Sequence, residues 1–526
     1  MSSQEEADDR ELEAQGYIPV MPRRFSLWSL LSLGFTLTAT WNAVGITIGS
    51  SLAESSSSGV LWTLVIAALM NLTVALGMAE LASAYPSSGA QYYWSYKVAS
   101  PEWASFASYV SSCVSICGWW LGLASVCNFV AAVVLAIYQL YVPEYRIHPW
   151  HQWLCYVAIL CLAALLNVLG MSLIPALNEC LLYFSLSTLA VTTVAILANA
   201  YPNYQSNTRI FTDTENMNRS YNKSILFILC LLNSTYGFMG FDAGAHMAEE
   251  IPSPSINVPK IIVRFVSFPH TTVLSRLIAE AALPFSISCM YVIIDVERIL
   301  NPPSGLSLLE IYHQATGSRL ITSLLLAAFA ICLFGCAVAN ITGSSRQIWA
   351  SSRDNCHPMS TWLAVIHARH QMPANATCVT VILTAIYGLI FVGSTTAFAS
   401  MVSANIVFMM VSYVIPQGIA AYRGRSNVLP ARNFDLGKFG LPINVISCIW
   451  VGFLAVVACV PTVRPVSLSN MNWVSAVILF ITAYTLLAWH FWQRHSFKGP
   501  KRRQQVEEQG LVQASGHLAE KERKAD

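Results

Sequence analysis

Nine stretches of this 526-residue chain contain no Asp, Glu, Lys or Arg: residues 25–53, 55–79, 103–143, 147–178, 180–208, 320–345, 374–422, 439–463 and 465–493. All exceed the ~20 apolar residues with which a helix crosses the hydrocarbon core of a bilayer. A soluble core of this size would still alternate polar and apolar faces, and these runs do not. Charged residues make up 11% of the chain, against about 25% in an average soluble domain. In lipid the backbone must satisfy its own polar groups, which leaves helices or a closed barrel. Continuous apolar runs select helices. The chain is therefore read as an all-α integral membrane protein in the lipid bilayer.

Helices are expected over about 27–52, 59–82, 105–137, 152–173, 180–200, 224–246, 277–296, 319–343, 376–393, 398–421, 441–461 and 474–493, which makes twelve. An even number puts both termini on one side. If that side is the cytosol, inner segments hold 22 and outer segments 7 of the 29 Lys and Arg. That is the asymmetry that sets orientation. Both termini are thus expected in the cytosol, with the chain in the plasma membrane. Residues 1–24 are polar, without the apolar centre of a cleavable signal. They and residues 496–526 are expected to be disordered tails.

The seventh helix is the unusual one. Residues 264–284 include Arg264, Pro269, His270, Arg276, Glu280 and Pro284, and only 281–294 is free of charge. If it did not cross, every later loop would flip and the basic count would be about 10 inside and 19 outside, against the positive-inside rule. The span is kept, with a wrongly assigned exon at 265–285 as the alternative. Asn218-Arg-Ser and Asn222-Lys-Ser are glycosylation acceptor patterns in an outer loop. None of the 14 Cys falls in an outer loop and no Cys/His spacing suits zinc, so no disulfide framework, metal or cofactor is expected.

Residues 224–246 break the apolar pattern. Gly237, Gly240 and Gly244 interrupt the second half of this span, with Asp242 and His246 among them. Glycine weakens a helix and a carboxylate in hydrocarbon is costly. Unwound backbone at membrane depth survives only where it lines a protein cavity. A discontinuous helix at a binding site is the transporter pattern.

Three further stretches appear in order: Met78-Ala-Glu-Leu-Ala-Ser-Ala-Tyr-Pro-Ser-Ser-Gly-Ala-Gln-Tyr-Tyr-Trp94, Gly240-Phe-Asp-Ala-Gly-Ala-His-Met-Ala-Glu-Glu-Ile-Pro-Ser-Pro254 and Asn340-Ile-Thr-Gly-Ser-Ser-Arg-Gln-Ile-Trp-Ala-Ser-Ser-Arg-Asp354. Together they resemble the amino acid/choline transporter branch of the amino acid–polyamine–organocation superfamily, fungal choline and gamma-aminobutyrate permeases above all, over residues 25–495. The resemblance implies a five-plus-five inverted repeat with broken helices 1 and 6. Helices 1–5 would fall in 25–200, helices 6–10 in 201–421 and two more in 422–495. It also implies secondary active transport of an amino acid, choline or related amine, coupled to an ion, a proton being expected.

On that reading helix 1 breaks near Ala43-Val44-Gly45, where free N–H groups would take a substrate carboxylate. The plainer alternative is tight helix packing at Gly45 and Gly49. Phe238 and Phe241 flank the helix-6 glycines and offer π faces to an ammonium, worth roughly 0.5–2 kcal/mol. They serve equally as packing. Asp242 would pair with that cation or a coupling ion, or cap the second half-helix. Trp119 and Trp120 lie mid-span in helix 3. Adjacent helical residues diverge by about 100°, so one at most faces a cavity. Trp41 and Asn340 complete the candidate site. Glu80, Glu249, Glu250, Arg346 and Arg353 gather at the inner ends of helices 2, 6 and 8 as a candidate gate or as static interfacial charge. Residues 180–200 hold no Lys, Arg or His, so a basic helix-5 residue standing in for a cation is not carried over. His246 and Asp242 are the remaining titrating groups.

A cavity without Lys or Arg suits a cation or a zwitterion rather than an anion. Two other functions were weighed. A non-transporting nutrient sensor usually adds a long cytosolic extension, and the tails here are short. An enzyme needs acid/base pairs, nucleophiles or metal ligands at one depth, and the 11 His are scattered. No glycine-rich nucleotide loop follows a strand, and no nucleic-acid partner is expected.

Overall fold

The computed structural model describes residues 3–214, 218, 220–264, 273–467 and 470–500. The described residues are helical, with one isolated bridge between His367 and Met372 and no strand. Ten helices among them are long and apolar enough to cross a membrane. The spans are α1a (Leu27–Thr38) and α1b (Thr40–Glu54), α2 (Ser57–Ala84), α3 (Ala104–Tyr141), α4 (Pro149–Leu169) and α5 (Ile174–Ala200). They continue with α6a (Lys223–Tyr236) and α6b (Ala243–His246), α7 (Val273–Val292), α8 (Arg319–Arg353), α9 (Ala374–Gly393), α10 (Thr395–Arg423), α11 (Gly440–Ala458) and α12 (Val474–Ala488). The broken sixth helix and α7 supply the two shorter apolar helices. Much of 265–285, where an exon error was weighed, lies outside the described residues.

Three helix pairs five apart in order pack together. α3 lies against α8, α4 against α9 and α1a against α6b. A five-plus-five repeat would match these pairs with one another. Small residues let α3 and α10 approach: a Cβ built on Gly118 would stand 2.7 Å from the sulfur of Met409.

The N-terminal segment differs from expectation. Ser3–Ala14 is a helix, and Leu12, Tyr17, Met21 and Phe25 are buried on the face that carries the basic residues. The polar composition of residues 1–24 hid these apolar anchors. The amide of Ser253 donates to Asp8 (2.9 Å) and that of Phe25 to the Glu250 carbonyl (3.1 Å). Residues at the other end of the chain reach the same face, where Ser105 Oγ donates to the Lys498 carbonyl (3.0 Å). Residues 501–526 lie outside the description.

Asn222, one of the two glycosylation patterns, is the N-cap of α6a, its side chain accepting from the Ile225 amide at 3.0 Å. All 14 Cys are free thiols.

Candidate substrate site and its gates

Helix 1 breaks four residues before the expected place. α1a closes at Ala39, which holds φ 40° and ψ 41°, and α1b starts at once. No glycine or proline marks the spot. Thr38 Oγ1 bonds back to the Gly34 carbonyl (3.0 Å) instead. Ala39 makes no side-chain cap, so the first N–H groups of α1b, at Thr40, Trp41 and Asn42, have no intrahelical partner. The glycine thought to mark the break does another job. A Cβ on Gly45 would come within 2.9 Å of the Phe329 ring, and one on Gly49 within 2.0 Å of Ser307 Oγ. Both are close-packing positions, so Ala43, Val44 and Gly45 are ordinary turns of α1b.

Helix 6 unwinds over residues 237–242 between α6a and α6b, with Gly240 at φ +86°. That backbone conformation favours glycine strongly over any L residue. The two breaks face each other across a cavity of about 60 Å³. Ala39, Ala43, Met239 and Gly240 line it from the breaks, Trp119 and Gly122 from α3, Asn340 from α8 and Asn405 from α10. Phe129 and Tyr236 line it further out, edge to face at 6.2 Å, and Tyr236 is held by a 2.7 Å hydrogen bond with Ser125. None of the described lining residues is charged.

Of the residues proposed from sequence, the cavity brings together Ala43, Trp119, Gly240 and Asn340. It does not include the others. Trp41 lies edge-on to Phe285 (5.3 Å) and Phe329 (5.2 Å), its indole N–H donating to Ser185 (2.9 Å). Phe238 packs in the same apolar cluster. Phe241 is fully buried against the Tyr413 ring at 4.8 Å. Neither phenylalanine lines the cavity, and both pack against protein. Trp120 turns away to α9, its Nε1 3.4 Å from Thr380 Oγ1. Val44 packs in the apolar cluster of Trp41 and Phe238 too, and Gly45 faces Phe329 of α8 and Leu308.

Asp242 is also absent from the cavity, and nothing caps through its side chain. Its Oδ1 accepts from the Tyr413 hydroxyl (2.6 Å), and its Oδ2 from Gln91 (2.7 Å) with His246 Nε2 at 3.2 Å. Both of its oxygens are thus engaged by protein groups, and the side chain is fully buried outside the cavity lining.

Asn405 was missed by the sequence reading. It converges with Asn340 over Gly122: a Cβ there would be 3.4 Å from both amide atoms of Asn405 and 3.5 Å from Asn340 Nδ2. Both Oδ1 atoms, and the indole N–H of Trp119, are buried without a partner. A lone Asn in a long uncharged run gives no sequence signal beyond being polar at membrane depth.

On the basic face the expected gate residues form two clusters. Arg346 donates to Glu250 (2.9 Å) with both side chains fully buried. Arg353 forks onto Glu249 at 2.6 and 2.9 Å, and stacks between Trp349 (4.1 Å) and Tyr17 (4.4 Å). The hydroxyls of Tyr17 and Tyr92 lie 2.8 and 2.9 Å from Asp354 Oδ2. Glu80 is not part of this cluster. Arg425 and Arg432, which follow α10, pair with it instead, and the Leu436 amide donates to it at 3.1 Å. Nearby, burial pushes the His357 imidazole down to about 4, which keeps it neutral between Ser112 (3.1 Å) and Ser351 (2.9 Å). The first cluster ties the segment after α6b to α8, and the second ties α2 to the segment after α10.

Comparison with known proteins agrees with this architecture. Residues 25–483 match the amino acid permease family. The chain is 30% identical over 492 residues to a choline transporter of Saccharomyces cerevisiae, covering 94% of this chain and 84% of that one. It is 28% identical over 505 residues to the amino-acid permease BAT1 of Arabidopsis thaliana (93% and 95% covered). It is 27% identical over 508 residues to amino-acid permease 2 of Neurospora crassa (95% and 90%). Among solved structures it is similar in fold to a manganese transporter of Eremococcus coleocola, with a TM-score of 0.50, 13% identity, and 90% and 93% of the two chains covered. Five-plus-five helices broken at facing points, and a family match that runs through all of them, lead to one conclusion: this chain belongs to the amino acid permease family.

Proposed function

We propose that the chain takes up a small amine or amino acid across the plasma membrane by alternating access, with both termini cytosolic and a proton gradient as the driving force. The observation that carries the substrate class is the uncharged cavity between the two helix breaks. An anion would find no counter-charge among the described lining residues, at a cost of several kcal/mol. A zwitterion is neutral overall. Its carboxylate suits the free N–H groups that open α1b. Its ammonium suits the unpartnered amide oxygens of Asn340 and Asn405, which need N–H donors.

A quaternary ammonium has no N–H to give. Leaving a buried acceptor unpaired costs about 1–3 kcal/mol, roughly 5- to 150-fold in affinity. Competition uptake in cells lacking their own permeases tests this with matched pairs: ethanolamine against choline, and glycine against its trimethyl derivative betaine. The N–H member of each pair is expected to compete at least tenfold better, and succinate not at all. Equal competition by choline and betaine contradicts the amide reading. Competition by succinate contradicts the zwitterion reading.

A further inference from the structure

Trp119 lines the cavity and also stands edge-on to His246, ring centres 5.6 Å apart. His246 is fully buried, and so is its partner Asp242 four residues earlier. The two contacts of His246 are both satisfied by one proton count only. His246 Nδ1 lies 3.1 Å from the backbone carbonyl of Ser88. A carbonyl oxygen only accepts, so this contact is a hydrogen bond when Nδ1 carries the hydrogen. A neutral imidazole protonated there has a bare lone pair at Nε2. That lone pair would face Asp242 Oδ2, itself an acceptor, at 3.2 Å. The contact closes only when one proton occupies it, on either atom.

The groups around the pair leave that proton without a rival. Gln91, on the short helix Gln91–Val98, donates to Oδ2 and does not titrate. Tyr413 of α10 donates to Oδ1. Ser88 offers its carbonyl, and Trp119 of α3 its ring edge. Of these only Tyr413 is titratable, and it enters as a neutral O–H donor to Oδ1. Among the described residues no Lys or Arg forms an ion pair with Asp242. The Tyr413 oxygen also accepts the N–H of Gly240, at 3.3 Å, in the unwound part of helix 6. Loss of the proton leaves one of the two contacts of His246, with Ser88 or with Asp242, lone pair against lone pair in a fully buried place, which is unfavourable. The strain falls on a network tied directly to the backbone of the break.

We propose that Asp242 and His246 are the seat of the coupling proton, which they hold in one hydrogen bond behind Trp119 and report to the substrate site through Tyr413 and Gly240. This rests on the transport reading above. Reconstituted vesicles test it, using whichever of labelled alanine, gamma-aminobutyrate or ethanolamine they exchange at equal pH. An acid-outside gradient should drive accumulation in the wild type, with a pH-sensitive dye recording protons entering with substrate. In His246→Gln, accumulation normalised to counterflow in the same vesicles should fall to about one. Tyr413→Phe, which keeps both titrating groups, should retain accumulation but move the pH of half-maximal uptake. Undiminished accumulation and proton entry in His246→Gln, or an unmoved pH midpoint in Tyr413→Phe, would overturn the assignment. Wild-type exchange without any response to the gradient would overturn it too, while leaving transport intact. Absence of all exchange would instead strike the transport reading itself.

Discussion

Replacing Gly240 with leucine is expected to reduce uptake to background while the protein still folds and reaches the membrane. Two costs combine at this position. A non-glycine residue held at φ +86° pays roughly 1–3 kcal/mol of backbone strain. A Cβ there would also sit 3.1 Å from the side chain of Leu37, and the remaining carbons of leucine enter the cavity between the breaks. The cheapest relief is a more continuous helix 6, which removes the site. Gly240→Ala separates the terms: it keeps the backbone strain and nearly all of the space, and about a tenfold loss is expected, as ~1.4 kcal/mol would give. Uptake and surface expression measured together check both. Wild-type kinetics in a normally trafficked Gly240→Leu protein would show that the unwound conformation plays no part.

The second large effect is expected at the buried pair Arg346–Glu250. Removing one partner of such a pair strands the other charge, at about 3–5 kcal/mol. Arg346→Met is therefore expected to destabilise the closed basic face relative to an opened one by about two to four powers of ten. Cys336, which lines the cavity and is 4% exposed, reports the opening. Its alkylation by an impermeant reagent added to inside-out vesicles, read by peptide mass spectrometry, should rise sharply. Arg346→Met combined with Glu250→Leu removes both charges, which is often neutral or stabilising, and labelling should return to the wild-type level. If the single and double variants label alike, the pair is static interfacial charge and not a gate.

Much of this architecture is legible in the chain because lipid imposes one strong rule. A span must be apolar and helical, so uncharged runs show directly where the membrane is crossed. The helix-6 break announced itself through three glycines beside a carboxylate. The helix-1 break did not. Ala39 takes a left-handed conformation without glycine, and the visible glycines, Gly45 and Gly49, are there for packing against Phe329 and Ser307.

Side-chain direction was the harder matter. Phe238, Phe241 and Trp41 read as an aromatic cage from type and proximity, yet each turns into apolar packing. Conversely Asn405 carries no motif, and only its convergence with Asn340 above Gly122 singles it out. Arg425 and Arg432 were counted for orientation but not paired, since their contact with Glu80 joins residues more than 340 positions apart. The N-terminal anchors were masked by the acidic residues among them. Long-range pairing and rotamer direction are tertiary facts, which composition and periodicity do not contain.

The central claim is that the cavity between the two helix breaks is a transport site for a small amine or amino acid. Uptake of labelled choline, gamma-aminobutyrate and a panel of amino acids, in cells stripped of their own permeases, tests it most directly. Saturable accumulation of at least one of these, abolished by Gly240→Leu and weakened by Asn405→Leu, is the predicted result. If none accumulates above control cells while the protein is present at the surface, or if accumulation survives both substitutions unchanged, the account is contradicted.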